Sequence, residues 1–413
     1  MPPLSIARCL CLLPTLLAYL AHAAESSERP AAAFTATAPL AMPAASIASR
    51  AQLDAYLHAT SPDAAPLGWM TRDGRQRFLA SLRFGQRGLG GFGTDDLRYD
   101  LTLEQAYAVL QLFDAQHYAL GLSARTKLRP STWESSGRHI GPAYARLIDK
   151  SETAAKPERR RLADETYAAQ FAPWQQAARL RTLGDRDVEF LFRAANHVLG
   201  LSSQSRHIED MRLDFAELAR RRLIDRPHAS DLYDTLLSAH RNDEARVLLA
   251  AYPVLERKPP PALREASGLH DGQPSLWVAA TNRRELTREP FALDAPAQIV
   301  VLAGTGCHFS QDTVRDIDAD PTLHNVFRQH ARWIAPSAEI AHFDAVQAWT
   351  RDHPDQPLAI AYDDAAWPVQ GDLHTPTFYV LRQGRLLRRI VGWPHEDGRE
   401  ALRQALREAG LMH

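Results

Sequence analysis

One stretch constrains the fold more than any other. From Gln298 to Ala303 the chain is a compact apolar run; Gly304-Thr-Gly306 follows, and Cys307-His308-Phe309-Ser310 then opens a helical pattern. A short unbroken apolar run bounded by glycines is the pattern of a strand buried on both faces. Such strands need layers above and below, so the run predicts an α/β sheet with helices packed on it. It also places one cysteine at a strand-to-helix junction. There the sulfur would face unsatisfied backbone N–H groups and the positive end of the helix dipole, which favour the nucleophilic thiolate.

The remaining cysteines sharpen that reading. The chain has three, Cys9, Cys11 and Cys307. The first two fall in residues 1–23, where Arg8, an apolar stretch from Cys9 to Ala21 and Ala21-His22-Ala23 follow the order of a cleaved signal peptide. Pro14 interrupts the apolar stretch, and it is shorter than the ~20 residues a spanning helix needs. A periplasmic or secreted protein is expected, with no membrane span after cleavage. Cys307 is then left without an intrachain partner in an oxidising compartment. The formal net charge of −1 gives no basic field for nucleic acid or anionic lipid, so neither is expected as a partner.

At 413 residues the chain should hold two or three domains. Residues 24–50 are rich in Ala, Pro, Ser and Thr and predict a disordered linker. Residues 51–122 predict a helical domain. Within it Gly88-Leu-Gly-Gly-Phe-Gly93 formally matches a dinucleotide-binding fingerprint. No strand precedes it in the pattern and no helix opens from it, so it reads as a glycine-rich turn packed by Leu89 and Phe92. Thr102-Leu-Glu-Gln105 is a capping-box pattern, and Leu103, Tyr107, Leu110 and Phe113 would form the core stripe of the next helix. Residues 123–160 read as an irregular linker or a marginal helix pair. Residues 161–256 predict a helical-hairpin domain, with Val188, Leu191, Phe192, Ala195 and Leu199 on one stripe and a closing pair at 232–240 and 244–252. That last pair faintly resembles a tetratricopeptide unit, but no period of ~34 residues recurs.

Lys258-Pro-Pro-Pro261 halts any helix and opens a linker over 257–274. From 275 to 413 the texture changes to alternating strands and helices. Strands are expected at 276–280, 298–303, 332–334, 358–362, 378–381 and 386–391. A helix follows Cys307, with a break at Asp320-Pro321; another carries Phe343, Val346 and Trp349, and a last runs from 397 to 409. Arg382-Gln-Gly384 marks a hairpin turn. His324, His330, His342, His353 and His374 lack metal-ligand spacing, and no metal or cofactor is expected. Asp363-Asp364 precede Thr375-Pro376-Thr377 and read as a solvated loop.

In its last third the chain resembles the thioredoxin-like superfamily. The resemblance rests on the strand ending at Cys307, on Thr375-Pro376-Thr377 leading into a strand, and on the Gln383-Gly384 hairpin ending at Val391-Gly392. The expected fold class is therefore an α/β thioredoxin-like C-terminal domain preceded by a mainly α-helical N-terminal region. The resemblance implies that Pro376 is cis and faces Cys307, and that Thr375 and Pro376 hold a client strand. It further implies a thiol–disulfide oxidoreductase or isomerase-like activity with Cys307 as nucleophile, tuned by His308 and Ser310, and protein clients or small thiols as partners.

Ser310 stands where the family's second cysteine lies, Gly306 replaces the usual Trp, and Val301 stands about where a buried Asp is usual. A Cys-x-x-Ser site cannot resolve its own mixed disulfide, so release must come from another thiol. Two readings stay open. One is monothiol exchange or client trapping through Cys307; the other is a non-enzymatic interaction scaffold whose thioredoxin-like domain is redox-inactive.

Overall fold

The computed structural model describes residues 46–85, 88–129, 139–154, 156–201, 205–270, 272–280, 283–366, 374–393 and 396–412. The expected signal peptide, most of the expected linker and Cys9 and Cys11 lie outside them. The chain divides into two compact units. The first runs to Thr235 and includes Leu248–Arg257; the second comprises Leu236–Val247 and everything from Lys258. Among the described residues no helix is long and apolar enough to cross a membrane.

The first unit is mainly helical. Its helices α1 (Arg50–Ala59) and α2 (Arg72–Ser81) lead to a small hairpin, β1 (Arg83–Gly85) with β2 (Gly88–Gly91). The glycine-rich fingerprint is thus one antiparallel strand and its flank. Leu89 and Phe92 pack on a core that contains Phe78, Leu97, Val109 and Leu110. Helices α3 (Asp95–Asp100) and α4 (Leu103–Gln111) follow. Thr102 and Gln105 form the expected reciprocal cap on α4. Of the expected stripe, Leu103, Leu110 and Phe113 pack in the core, joined by Ala106 and Val109, whereas Tyr107 is 42% exposed. The spacing 106, 109, 110, 113 satisfies the helical period as well, and tertiary contacts chose it.

Next come α5 (Ile140–Thr153), α6 (Lys156–Gln170), α7 (Ala177–Leu180), α8 (Asp185–Leu201) and α9 (Ser205–Arg220). Residues 140–153 form a full helix in the stretch read as a linker or marginal helix pair. The first unit takes in residues from both helical segments of the sequence reading, but Leu236–Val247 of the second segment belong to the other unit. Helices α10 (Arg226–Ser238) and α11 (Asn242–Ala251) complete the α-helical elements up to residue 251.

The second unit is built on a mixed sheet of eight strands. They are β3 (Ala262–Glu265), β4 (Ser275–Ala279), β5 (Glu285–Pro290), β6 (Gln298–Leu302), β7 (Ala331–Ala335), β8 (Leu358–Ala361), β9 (Thr377–Arg382) and β10 (Arg385–Val391). Their order is β10-β9-β6-β7-β8-β4-β5-β3. β3 lies in the expected linker and β5 has no counterpart in the sequence reading. Its sequence, Glu-Leu-Thr-Arg-Glu-Pro, carries too few apolar residues to announce a strand, and β4 and β3 supply its partners by hydrogen bonding.

β6 is central, parallel to β7 and antiparallel to β9. Helices α12 (His308–Ala319) and α13 (Pro321–His330) meet at Asp320, whose carboxylate accepts the Thr322 and Leu323 amides at 3.0 and 3.1 Å. Pro321 at the first helical position completes the restart. Helices α14 (Phe343–Asp352) and α15 (Glu396–Ala409) finish the unit. The β9–β10 loop is Gln383-Gly384 with φ of 49° and 74°, the left-handed pair that a two-residue hairpin requires.

Candidate functional site

The sheet positions the site by stopping β6 at Leu302. The chain then turns through Gly304-Thr305-Gly306, and Cys307 becomes the N-cap of α12 in extended conformation. Gly304 lies against Thr375, where an added Cβ would make ordinary contact at 3.4 Å. On the other side β9 begins at Thr377, next to Leu302 in register. That pairing brings the segment before β9 against the N-terminus of α12.

Cys307 is half-buried and free. Its thiol donates to the Thr375 carbonyl at 3.1 Å. The Thr375–Pro376 peptide is cis and Pro376 is buried. The turn is held from both ends: the Thr377 hydroxyl donates to the His374 carbonyl at 2.5 Å, and the Gly392 amide donates to the Pro376 carbonyl at 2.7 Å. Cys307, Thr375 and Pro376 are thus brought together from 68 residues apart in sequence.

The other two expected residues sit differently. Ser310 is fully buried, and its Oγ accepts the Gly304 amide at 3.3 Å. Its contact is with the loop before Cys307, which it ties to α12. His308 is exposed beside the exposed Phe309, ring centroids 3.9 Å apart. Neither the Gly304 clamp nor a further support was legible in sequence. Thr305 Oγ1 donates to Glu339 at 2.6 Å, and Gln311 donates to the Thr305 carbonyl at 2.9 Å. Glu339 lies in the turn Ser337–His342, which Asp364 caps through the Ser337 amide and hydroxyl at 3.0 and 2.7 Å. Burial raises the Asp364 pKa more than those hydrogen bonds lower it. Asp364 therefore supports a turn instead of lying in a solvated loop. Only the register of β6, β7 and β8 reveals that link.

Two further polar groupings emerged. His324 and His353 each place Nδ1 3.2 Å from a different oxygen of Asp318. Among the described residues no group of three or more His, Cys, Asp or Glu is arranged to hold a metal ion.

The first unit contains a cavity of about 400 Å³ lined in part by Arg77, Ser81, Asp95, Tyr144, Arg193 and His197. Arg193 is fully buried and donates to Asp95 and Asp96 at 2.6 and 2.7 Å. Its guanidinium carbon lies 4.7 Å from the Tyr99 ring centre. Burial acts to raise the Asp95 pKa, but the Arg193 charge and the Tyr144 hydroxyl outweigh it and bring it to about 2. Burial lowers the His197 pKa, and the ring bonds Ser151 at 2.7 Å. The polar atoms at this cavity chiefly satisfy one another.

No protein-family model matches the chain, and no curated protein does. Among solved structures it is similar to a thioredoxin-like protein from Bacteroides caccae, at 9% identity over 67% of this chain and 96% of that one, with a TM-score of 0.21. At that distance the function has to be read from the geometry of the site itself.

Proposed function

We propose that the second unit is a thioredoxin-like domain, and that Cys307 is a monothiol that captures disulfides of protein clients or small thiols in an exported protein. The observation that carries the reading is the thiol of Cys307, half-buried at a helix N-terminus and 3.1 Å from the Thr375 carbonyl. The Thr375-Pro376 backbone offers its edge to an extended segment beside the sulfur. In the exchange the Cys307 thiolate attacks one sulfur of a disulfide. A new S–S bond forms to Cys307, the old bond breaks, and its other sulfur leaves as a thiolate that takes a proton from water. A second thiol, from the client or a small molecule, then attacks the mixed disulfide and restores Cys307. His308 follows Cys307 in the chain and is exposed, and Ser310 ties the loop before Cys307 to the helix through the Gly304 amide. The leader-like segment at 1–23 supports an oxidising compartment for this chemistry.

The second reading is an interaction scaffold with no redox role. Ser310 in place of a second thiol favours it. One experiment separates the two. The chain from residue 24, in which Cys307 is the one cysteine, is incubated with oxidised glutathione and resolved by intact mass. We expect a glutathione adduct that is lost in Cys307→Ser and removed by added thiol. If the folded wild type gains no adduct while the denatured chain does, the monothiol reading fails and the scaffold reading stands.

A further inference from the structure

We propose that the cavity of the first unit binds a small zwitterion of the amino-acid or dipeptide class, its ammonium group held by Asp95 and His197 and its carboxylate by Arg83. The cavity's volume of about 400 Å³ lies in the range of about 300–1,000 Å³ usual for small-molecule sites. Most polar groups in its walls bond one another. A few keep bonding capacity that no described residue uses, and those few define the ligand.

Asp95 takes all its hydrogen bonds on one oxygen. Oδ2 accepts the Tyr144 hydroxyl and Arg193 Nε and Nη2, the last two at 3.1 and 2.6 Å. Oδ1 has no partner among the described residues. The Asp95 side chain is 39% exposed whereas that of Arg193 is not exposed at all, so the open oxygen is the part the cavity reaches. His197 offers a second acceptor. The Ser151 hydroxyl donates to the Leu147 carbonyl at 2.7 Å, so toward the imidazole it accepts, and Nε2 carries the ring proton. Nδ1 is left bare, with no partner among the described residues. Burial favours this neutral ring, and the Asp95 charge acts on it, so the two acceptors serve one region. The complement of a carboxylate oxygen and a bare ring nitrogen is a positively charged donor, and an ammonium group supplies three N–H bonds.

Arg83 supplies the opposite sign. It lines the cavity, is exposed, and has no ion pair or hydrogen bond among the described residues; the same holds for the Asp149 carboxylate. Arg77 and Arg193, the other cations in the wall, are matched by Asp95 and Asp96. A net anion would meet Arg83 but face Asp95 Oδ1 and Asp149. A net cation would meet those acceptors and be repelled by Arg83. An uncharged polyol bonds the acceptors and makes no use of the Arg83 charge. A zwitterion satisfies both ends. Arg193 and Tyr144 already fix Asp95, so little ordering cost falls on binding. The site owes nothing to the chemistry of Cys307.

The test is saturation-transfer NMR on the full chain with dialanine titrated to about 10 mM, which reads binding down to millimolar affinity. N-acetyl-dialanine lacks the cation, dialanine amide lacks the anion, and maltose is an uncharged polyol. We expect dialanine to saturate the site and both blocked peptides to bind at least tenfold more weakly. Arg83→Gln should weaken dialanine at least tenfold and leave dialanine amide unchanged. His197→Gln keeps a donor for Ser151 and removes the Nδ1 acceptor, and it should weaken both. Asp95→Asn should abolish binding; circular dichroism checks its fold, and if it unfolds the Arg83 and His197 variants decide the matter. No saturable binding of dialanine, equal binding of the blocked peptides, or indifference to Arg83→Gln and His197→Gln overturns the proposal. Saturation by maltose in place of dialanine overturns it in favour of a neutral polyol. Cys307→Ser should bind dialanine as the wild type does; a loss there would move the site to the thiol loop and overturn its place in the cavity.

Discussion

The centre of the helical unit and the Cys307 loop solve opposite problems. Around Arg193 the protein buries charge. Arg193 and Glu189 are fully buried, Arg186 and Asp100 nearly so, and they pair with one another and with Asp95 and Asp96 at 2.6–3.6 Å. Around Cys307 the supports are mostly neutral and few. A thiol meets a carbonyl, a serine hydroxyl meets an amide, and a threonine meets one glutamate. A buried charge without its partner is very costly, so the first arrangement fixes geometry and is intolerant of change. The second holds a loop in place with contacts of modest worth and leaves the sulfur half accessible. That difference separates a structural centre from a site able to react.

Breaking the charged centre should have the largest effect. Arg193→Met removes the partner of two aspartates and a glutamate, and breaking such a buried pair costs about 3–5 kcal/mol. We expect a urea unfolding midpoint lowered accordingly. A loss below about 1 kcal/mol would mean that water reaches these carboxylates and that the contrast with Cys307 is false. The same centre has an acid signature. Asp95 has its folded pKa lowered to about 2, so its contribution is present above the unfolded value near 3.9 and is lost as pH falls toward 2.

An intermediate effect of opposite sign is expected at Asp214. It is fully buried, Gln175 donates to its Oδ2 at 2.9 Å, and its Oδ1 has no hydrogen-bond partner. Burial raises its pKa well above the ordinary value. The folded chain then holds this proton where the unfolded chain has released it, so the group's contribution is full below pH ~3.9 and declines as pH rises. Asp214→Asn enters the core neutral without taking up a proton and should stabilise the protein at pH 7 by about 1 kcal/mol or more, the worth of roughly one pKa unit. The gain should vanish below pH ~4. Melting curves at both pH values check this; a destabilised variant at pH 7 would show that the carboxylate is paired after all.

The smallest effect belongs to the reactive loop. Ser310→Ala leaves the buried Gly304 amide without its acceptor and should cost about 1 kcal/mol, near the lower end for such losses. The glutathione adduct on Cys307 should still form, more slowly. An unchanged melting point with complete loss of the adduct would make Ser310 a partner of the sulfur, as the resemblance implied, and would blur the comparison.

Legibility followed the range of the interaction. The β6 run, the Asp320 break, the Thr102 cap and the Gln383-Gly384 turn each depend on residues within a few positions, and each was readable. On α4 only Tyr107 left the expected stripe, because positions 106 and 109 fit the same helical period and only packing separates them. The α8 charges were invisible for a related reason. The apolar stripe Val188, Leu191, Phe192, Ala195 suggested one buried face, while Arg186 and Arg193 are buried as well, by partners some 90 residues earlier, with Glu189 paired between them on the same helix. β5 lacks a strand pattern of its own and exists through its neighbours' hydrogen bonds.

By itself the sequence determined that a strand buried on both faces ends at a glycine turn and hands a lone cysteine to a helix. Local sterics and hydrophobic burial suffice for that. The tertiary structure decided what the cysteine meets. Thr375, Ser310 acting on Gly304, and Glu339 acting on Thr305 converge because the β6, β7 and β9 registers align strand ends that are far apart in the chain. Register is set by which faces are buried across the whole sheet, and no single segment contains that information.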